Sequence, residues 1–355
     1  MKKSLLITAL IVYSMNLFGT NIVTPATINP AQLKDQLTAK YQGKINGFQT
    51  LARLTPGYNG ELMFPLKNKL DKAVNELAST GQVDIDAIEA DIETTLYSNL
   101  SEIFKASIAV AEKSSKHEIS NDLFAISPWN KKVVWNNEQT HVLMLTWIPA
   151  AYRKTYDDAL ASGQELTISW DAWVTAIPEV KDFLKEYVKT NKNGFNLTDR
   201  AEQFLGLYPS KPPYSTNQNK LFVEMWVKPE DIDRPCLDGD ILGSECTIDP
   251  HESDLDNLPP AFRDMSKLVP MTPEHKAWFE NEKSTKYTSN WAMPWTRFGY
   301  TYDWGSAIKS FGKRAAKGAS EYLIKKNSKV IINSLIPTEE YPNTPTPISG
   351  YTYKG

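Results

Sequence analysis

The segment from Trp291 to Trp304 contains the densest group of aromatic side chains in the chain, together with one arginine and one aspartate. Exposed tryptophan rings bind sugar rings by apolar contact, while an arginine and a carboxylate can fix the sugar hydroxyls. We therefore expect a ligand site here, with a glycan as the first candidate ligand. Its residues are Trp291, Trp295, Arg297, Tyr302 and Trp304. The alternative is that the segment fills a core and that Arg297 pairs with a carboxylate.

Catalysis by carboxylates is the second kind of chemistry that the sequence offers. Hydrolysis of a glycoside needs two carboxyl groups about 5–10 Å apart in a cleft. The catalytic candidates are Glu224, Asp303 and His251. Glu224 lies within the apolar segment 221–227, where burial without a partner would raise the pKa of its carboxyl; an arginine partner such as Arg297 is the alternative. The chain contains no serine-hydrolase elbow, phosphate-binding loop or dinucleotide fingerprint, so the sequence leaves open whether the protein is an enzyme.

A cation site is the third possibility, in the acidic tract 230–256, where Arg234 is the only lysine or arginine. Calcium takes six to eight oxygen ligands, which such a tract can supply. The calcium candidates are Asp238, Asp240 and Asp249. The spacing is not that of an EF-hand, and a solvated acidic loop is the alternative. His251 has no second histidine at ligand spacing, which argues against zinc, so no cofactor other than calcium is expected.

The two cysteines of the chain, Cys236 and Cys246, lie within this acidic tract. In an exported protein such a pair forms a disulfide, which here closes a short loop. Two unpaired thiols are the alternative. A catalytic cysteine is disfavoured, because a paired sulfur has no thiolate to offer.

The N-terminus predicts the compartment. Two lysines, an apolar run over residues 5–12 and a stretch of small residues follow one another, which is typical of a secretory signal peptide. We expect residues 1–19 to be removed after Gly19, with Ala26 as the second choice for the cleavage site. A retained membrane anchor is the alternative, but polar residues from Ser14 onward interrupt the run before the roughly 20 apolar residues of a spanning helix. The mature chain is thus expected to be exported, periplasmic or secreted, without a transmembrane segment.

The overall composition limits the class of partner. A net charge of −3 argues against nucleic acid, which needs a basic excess. The hydrophobic content of 41% and the charged content of 23% are those of a globular protein.

The elements that must position these residues divide the chain in two. All ten tryptophans lie from Trp129 onward, and the preceding residues show helical periodicity instead. Residues 28–118 are therefore predicted as a helical region of three helices, which begin at Asn29, after Pro65 and after the cap Asp84. Their apolar stripes either dock a partner or pack against the rest of the chain.

The second part, residues 121–336, is predicted as an α+β domain around a mainly antiparallel sheet. The predicted strands are 132–135, 141–147, 166–176, 221–227, 321–324 and 329–336. The predicted helices are 179–189, 197–207 and 272–282. Residues 337–355, rich in proline and threonine, are predicted as an extended tail. The fold class is thus α+β, with an N-terminal helical hairpin or three-helix region packed on a Trp-rich mixed sheet domain.

Taken together, these features favour an exported soluble bacterial protein with a non-catalytic binding or interaction role in the envelope or secretome. Its partner is a glycan or a protein, and its ligand is not identified by the sequence. The alternative is a secreted hydrolase that uses carboxylates on a glycan or peptide.

Overall fold

The computed structural model describes residues 29–54, 64–81, 84–127, 129–190, 194–212, 220–246, 272–306 and 316–348. Some sequence predictions lie outside these ranges. They are the signal peptide at 1–19 with its second cleavage choice Ala26, the catalytic candidate His251, the calcium candidate Asp249 and residues 349–355 of the predicted tail.

Three helices precede the sheet: α1 (Pro30–Leu54), α2 (Phe64–Thr80) and α3 (Ile85–Glu112). The predicted helix starts are capped as expected. The side chain of Asn29 accepts a hydrogen bond from the Gln32 amide at 2.9 Å, and that of Asp84 accepts one from the Ala87 amide at 3.0 Å. The apolar stripes of the three helices pack against one another in a buried cluster of Leu33, Leu37, Tyr41, Ile45, Leu77, Ile92 and Leu96. This part of the α3 stripe is therefore covered by the chain itself.

The remaining described residues form an eight-stranded sheet and four further helices. The strands are β1 (Val142–Pro149), β2 (Leu166–Thr167), β3 (Ala172–Ala176), β4 (Lys220–Val227), β5 (Ile232–Asp233), β6 (Tyr300–Tyr302), β7 (Lys317–Ile324) and β8 (Lys329–Pro337). The helices are α4 (Arg153–Ser162), α5 (Glu179–Thr190), α6 (Leu197–Phe204) and α7 (Pro273–Thr285).

The strand order is β2-β8-β4-β1-β3-β7-β5, with β6 also paired to β7, and every ladder is antiparallel. Strand β7 thus has three partners. The α+β class with a mainly antiparallel, Trp-rich sheet domain is confirmed.

One predicted strand, 166–176, is two strands. Its first part, β2, pairs with β8, and its second part, β3, pairs with β1 and β7. A bend at Ser169 and Trp170 separates them. The sequence did not reveal this bend, because the alternation of apolar and polar residues continues through it. Ile168 is buried, but Trp170, expected on the same face, is 58% exposed.

A second predicted strand, 132–135, is not a regular strand, because it begins with a turn and a bend at Lys132 and Val133. Its single ladder contact is the bridge between Trp135 and Val142. The polar residues 136–139 form the expected connection, because the Asn136 side chain accepts the backbone amides of Thr140 and His141. The predicted strand 141–147 is confirmed as β1.

Each face of the sheet buries a core. On the first face, alternate residues of β1, β3, β4 and β7 pack against Tyr156 of α4 and the segment before β1. On the second face, Leu143, Leu145 and Phe222 pack against α5 and α6.

The helical region packs against the sheet domain through a further aromatic cluster. Phe48 of α1 and Phe104 of α3 share it with Phe195, Tyr302 and Trp304. Because helices and sheet bury one common surface, the two parts of the chain form one packed unit.

Backbone approaches backbone at one point of this contact. Gly194 has a φ of +70°, and a Cβ added there would lie 2.2 Å from the Gly43 carbonyl oxygen of α1. No side chain fits at this position.

Residues 338–348, within the predicted tail, contain a short 3-10 turn over Tyr341–Asn343. The ring of Tyr341 is buried and stacks on Phe222 at a centroid distance of 4.2 Å. This segment therefore contributes to the core of the second face. None of the helices in the described ranges combines the length and apolarity that a bilayer span requires.

Candidate functional site

Strands β1 and β3 separate along part of their length, and a cavity opens there. Ladder pairs join β1 and β3 at two positions, and the pair further along β1 is Leu145–Thr175. Strand β1, by contrast, pairs with β4 along its whole length. Beyond Leu145 the hydroxyl of Thr146 donates to the Trp173 carbonyl oxygen at 3.2 Å. The cavity has a volume of about 310 Å³, at the lower end of the range for small-ligand sites. We call it the strand-cleft cavity.

Aromatic side chains from distant parts of the chain form much of its wall. Trp147 comes from β1, Trp173 from β3, and Trp295 and Tyr302 from the segment around β6. The rings of Trp173 and Trp295 meet edge to face, with centroids 6.4 Å apart. Trp170, which is largely exposed, stands at the opening. These rings make the cavity mainly apolar.

Three polar atoms in this apolar wall are buried and have no hydrogen-bond partner among the described residues. They are Oε2 of Glu321, Oγ1 of Thr175 and Nε1 of Trp295. Thr175 and Glu321 are ladder partners between β3 and β7, so both side chains stand on the same face of the sheet. Buried polar groups normally have partners. The lining therefore offers a carboxyl, a hydroxyl and an indole N–H to a group that enters the cavity.

The carboxyl of Glu321 is protonated over an unusually wide pH range. Burial raises its pKa to about 8, and the nearby Lys286 ammonium opposes this shift only in part. Glu321 is the one carboxylic acid among the described lining residues.

Lys286, which follows α7, is the one lysine or arginine among those residues. Its ammonium lies 3.0 Å from the carboxylate of Glu282 and 4.4 Å from the centroid of the Trp173 ring. Tyr156 and Tyr302 complete the titratable lining, and burial raises the pKa of both phenols. Both tyrosines are therefore neutral at physiological pH.

Two of the five residues of the predicted aromatic site line this cavity, Trp295 and Tyr302. Trp291 is 86% exposed and lies apart from the cavity lining. Trp304 is buried; its indole N–H donates to the Leu207 carbonyl at 3.0 Å. The three tryptophans thus do not form a common sugar-stacking platform.

Arg297, the predicted ligand-fixing residue, is bound to the end of α3 instead. Its guanidinium donates to the carbonyl oxygens of Glu112 and Ser114 at 2.9 and 3.0 Å. The residue has a positive φ of 67°. It joins the aromatic segment to the helical region, through carbonyl oxygens rather than the carboxylate considered from the sequence.

Glu224, a catalytic candidate, is held in a buried ion pair with Lys181 rather than Arg297, with Nζ 3.0 Å from Oε1. Its other partners are Asn333 and Ser334, which donate to Oε2 at 3.1 and 2.9 Å, and the Tyr341 hydroxyl, at 3.3 Å from Oε1. Every oxygen of the carboxylate is occupied, and Glu224 does not line the strand-cleft cavity.

Asp303, the other described catalytic candidate, forms a bidentate pair with Arg200. Both guanidinium nitrogens donate to it, at 2.7 and 2.6 Å, and both side chains are buried. The guanidinium also lies over the Phe183 ring at 4.5 Å. Glu224 and Asp303 therefore have structural partners, and the structure does not bring them together in a cleft.

Cys236 and Cys246 are joined by a disulfide with Cα atoms 6.1 Å apart, so the predicted pairing is confirmed. A bonded sulfur is no metal ligand, which leaves Asp238 as the one available ligand in the cluster that these three residues form.

The described calcium candidates support the loop backbone. Asp238 accepts the Asp240 amide at 3.2 Å, and Asp240 accepts the amides of Leu242 and Gly243 at 2.7 and 3.0 Å. Calcium binding here stays a prediction.

A second cavity, of about 360 Å³, lies beside the disulfide loop. It is lined by Asp171, Asp233, Asp238, Glu274, His275 and Lys325 among others. Several of these groups already have partners. Asp233 pairs with Lys325 at 3.1 Å, and the His275 ring bonds to the Cys236 carbonyl at 2.7 Å.

Sequence reasoning missed Glu321, Thr175 and Trp173. Glu321 follows Ser320 at the start of the predicted strand 321–324, so it does not interrupt an apolar segment as Glu224 does. The pairing of Thr175 with Glu321 depends on strand order, which no local pattern encodes.

A scan against protein-family models finds no match for this chain, and comparisons with curated proteins and with solved structures find none either.

Proposed function

We propose that this protein binds a small, mainly apolar ligand in the strand-cleft cavity and does not transform it. The observation that carries this proposal is the set of three buried, unpartnered polar atoms on Glu321, Thr175 and Trp295. An unpaired buried polar group costs about 1–3 kcal/mol. A ligand that pairs with two or more of these groups recovers part of that free energy, while its apolar part gains from contact with the tryptophan rings.

Binding is favoured over hydrolysis because the described lining of the cavity provides a single carboxyl group. A carboxylate-dependent hydrolase needs a second carboxyl group close to the first, and Glu321 is the one carboxylic acid among the described lining residues.

The binding experiment is a screen of aromatic fragments by saturation-transfer NMR, in which neutral and charged fragments are tested separately. Ala172→Phe fills the cavity from β3, and Ala161→Phe, on the exposed side of α4, is the matched control. We expect at least one fragment to bind the wild type and the Ala161 variant, and to be lost in the Ala172 variant. If no fragment binds, or if the Ala172 variant binds equally well, the proposal fails.

We further propose that the binding takes place after export, with residues 1–19 removed. The disulfide and the absence of a bilayer-spanning helix in the described ranges are compatible with export, and the N-terminal pattern supports it. Mass spectrometry of the chain expressed in a bacterium checks this. The expected mass lacks residues 1–19 and two hydrogens; a full-length chain with free thiols contradicts the proposal.

A further inference from the structure

The polar anchor of the strand-cleft cavity is the cross-strand pair of Thr175 and Glu321. Directly opposed residues of an antiparallel ladder have Cβ atoms about 4.5–5.5 Å apart, and these two are opposed between β3 and β7. A carboxylate and a hydroxyl at this spacing are two acceptors for one donor group. An ammonium, which carries only donors, matches them.

The balance of charges around the cavity favours the binding of one cation. Lys286 is the one basic lining residue described, and its ammonium already has Glu282 as its counter-ion at 3.0 Å. When Glu321 ionises, its negative charge is therefore in excess. A positively charged ligand restores neutrality, whereas an anionic one adds to the excess.

The aromatic wall already holds ammonium groups on its rings. Nζ of Lys286 lies 4.4 Å from the centroid of Trp173, and Nζ of Lys220 lies 4.1 Å from that of Trp147. Tryptophan faces attract cations most strongly among the aromatic side chains. An aromatic wall of this kind is therefore compatible with a positively charged ligand in the cavity.

From these three observations we infer that the ligand of the strand-cleft cavity is a protonated organic amine. Its ammonium binds between Thr175 and Glu321, and its apolar part lies against the tryptophan rings. This inference rests on the binding function proposed above and names the chemical class of the ligand.

Amine binding is coupled to loss of a proton from Glu321. The pKa of this carboxyl is about 8 in the ligand-free protein, so the group must ionise when the cation enters. Affinity for an amine therefore rises as the pH is raised from about 6 to about 8. The two tyrosines of the lining, Tyr156 and Tyr302, have raised pKa values and therefore stay neutral in this range.

The experiment compares two probes of nearly equal shape, 2-phenylethylammonium and 2-phenylethanol, by isothermal titration calorimetry. We expect the wild type to bind the amine about tenfold or more tightly than the alcohol, because the amine adds a charged hydrogen bond and a cation–π contact. The observed enthalpy of amine binding should depend on the ionisation enthalpy of the buffer, since a proton is released on binding.

Two variants separate charge from shape. Glu321→Gln keeps the size of the side chain, and we expect it to lose the preference for the amine while it still binds the alcohol. Glu186→Gln, at an exposed position on α5, is the control and keeps the preference.

Each outcome bears on a different claim. If the alcohol binds as tightly as the amine, or if affinity for the amine falls between about pH 6 and 8, the amine assignment is overturned and ligand binding stands. If neither probe nor any fragment binds, the binding function itself is overturned. Should Glu321→Gln not fold, the comparison of amine and alcohol on the wild type still decides.

Discussion

Glu224, Asp303 and Glu321 are acidic side chains in similar apolar surroundings, and they differ in their partners. Glu224 has the ammonium of Lys181 and Asp303 has the guanidinium of Arg200. Oε2 of Glu321 has no hydrogen-bond partner in the described ranges. The first two therefore hold the fold together, and the third remains available to a ligand.

Removal of one member of the Lys181–Glu224 pair tests its structural role. We expect Lys181→Met to lower the free energy of unfolding by about 3–5 kcal/mol, because the buried carboxylate then lacks its counter-ion. Urea denaturation measures the change. Lys189→Met, at an exposed ion pair on α5, is the control and should leave stability unchanged; equal stability of both variants would contradict the structural role of Lys181.

The raised pKa of Glu321 has a consequence for stability. A carboxyl with a pKa of about 8 in the folded state and an ordinary pKa of 4.5 binds more protons in the folded state than in the unfolded state. Its contribution to stability is complete below about pH 4.5 and is lost as the pH rises towards about 8, at no more than about 1.4 kcal/mol per pH unit.

The check on this contribution is the difference between two pH profiles. Unfolding free energies of the wild type and of Glu321→Gln, measured across this range, should show a steeper decline for the wild type. Parallel profiles would mean that Glu321 titrates normally.

The sequence identified Glu224 and Asp303 as candidates but did not identify their partners. Arg297 was the partner considered for Glu224. The actual partners, Lys181 and Arg200, come from helices whose placement over the sheet depends on the whole topology. Glu321 had no such local pattern, because it follows Ser320 at the start of its predicted strand.

At the scale of elements, periodicity predicted well where one residue pattern runs uninterrupted. Helices α1, α2 and α3 begin at or near the predicted caps and proline signals, and strand β4 extends over the predicted 221–227. The failures came where an apolar pattern continues through a bend, as between β2 and β3. The opening between β1 and β3 could not be predicted, because it reflects the absence of ladder pairs between non-consecutive strands.

The disulfide loop is an element with a measurable effect. Replacement of both Cys236 and Cys246 by serine removes the cross-link, and we expect a loss of about 2–4 kcal/mol in unfolding free energy, since the unfolded chain regains the entropy of the open loop. Differential scanning calorimetry measures the loss. In a reducing agent the melting temperature of the wild type should approach that of the double variant. A melting temperature that changes in neither case would contradict the prediction.

At the scale of the whole molecule, the helical region and the sheet domain share one buried cluster. The pairs Phe104–Trp304 and Phe104–Tyr208 lie within this contact, with ring centroids 5.9 and 4.9 Å apart. Lys44 of α1 also pairs with Asp199 of α6 at 2.8 Å. Such contacts couple the stability of the two parts.

The tryptophans allow this coupling to be measured, because all ten lie from Trp129 onward. We expect Ile92→Ala, which truncates a buried side chain of the helical region, to cost about 2–5 kcal/mol. The midpoint of tryptophan fluorescence should fall together with that of far-ultraviolet circular dichroism. Leu160→Ala, at an exposed position, is the control, and a fluorescence midpoint that does not move in Ile92→Ala would show independent unfolding.

The position of β7 and β8 in the sheet has a consequence for how the chain is made. Strands β2, β5 and β6 have their ladder partners in β7 or β8, and these two are the last strands described in the chain. A ribosome must therefore translate β7 before β5 and β6 find this neighbour, and β8 before β2 finds its own. Until then the nascent polypeptide carries unpaired strand edges, which are prone to aggregation.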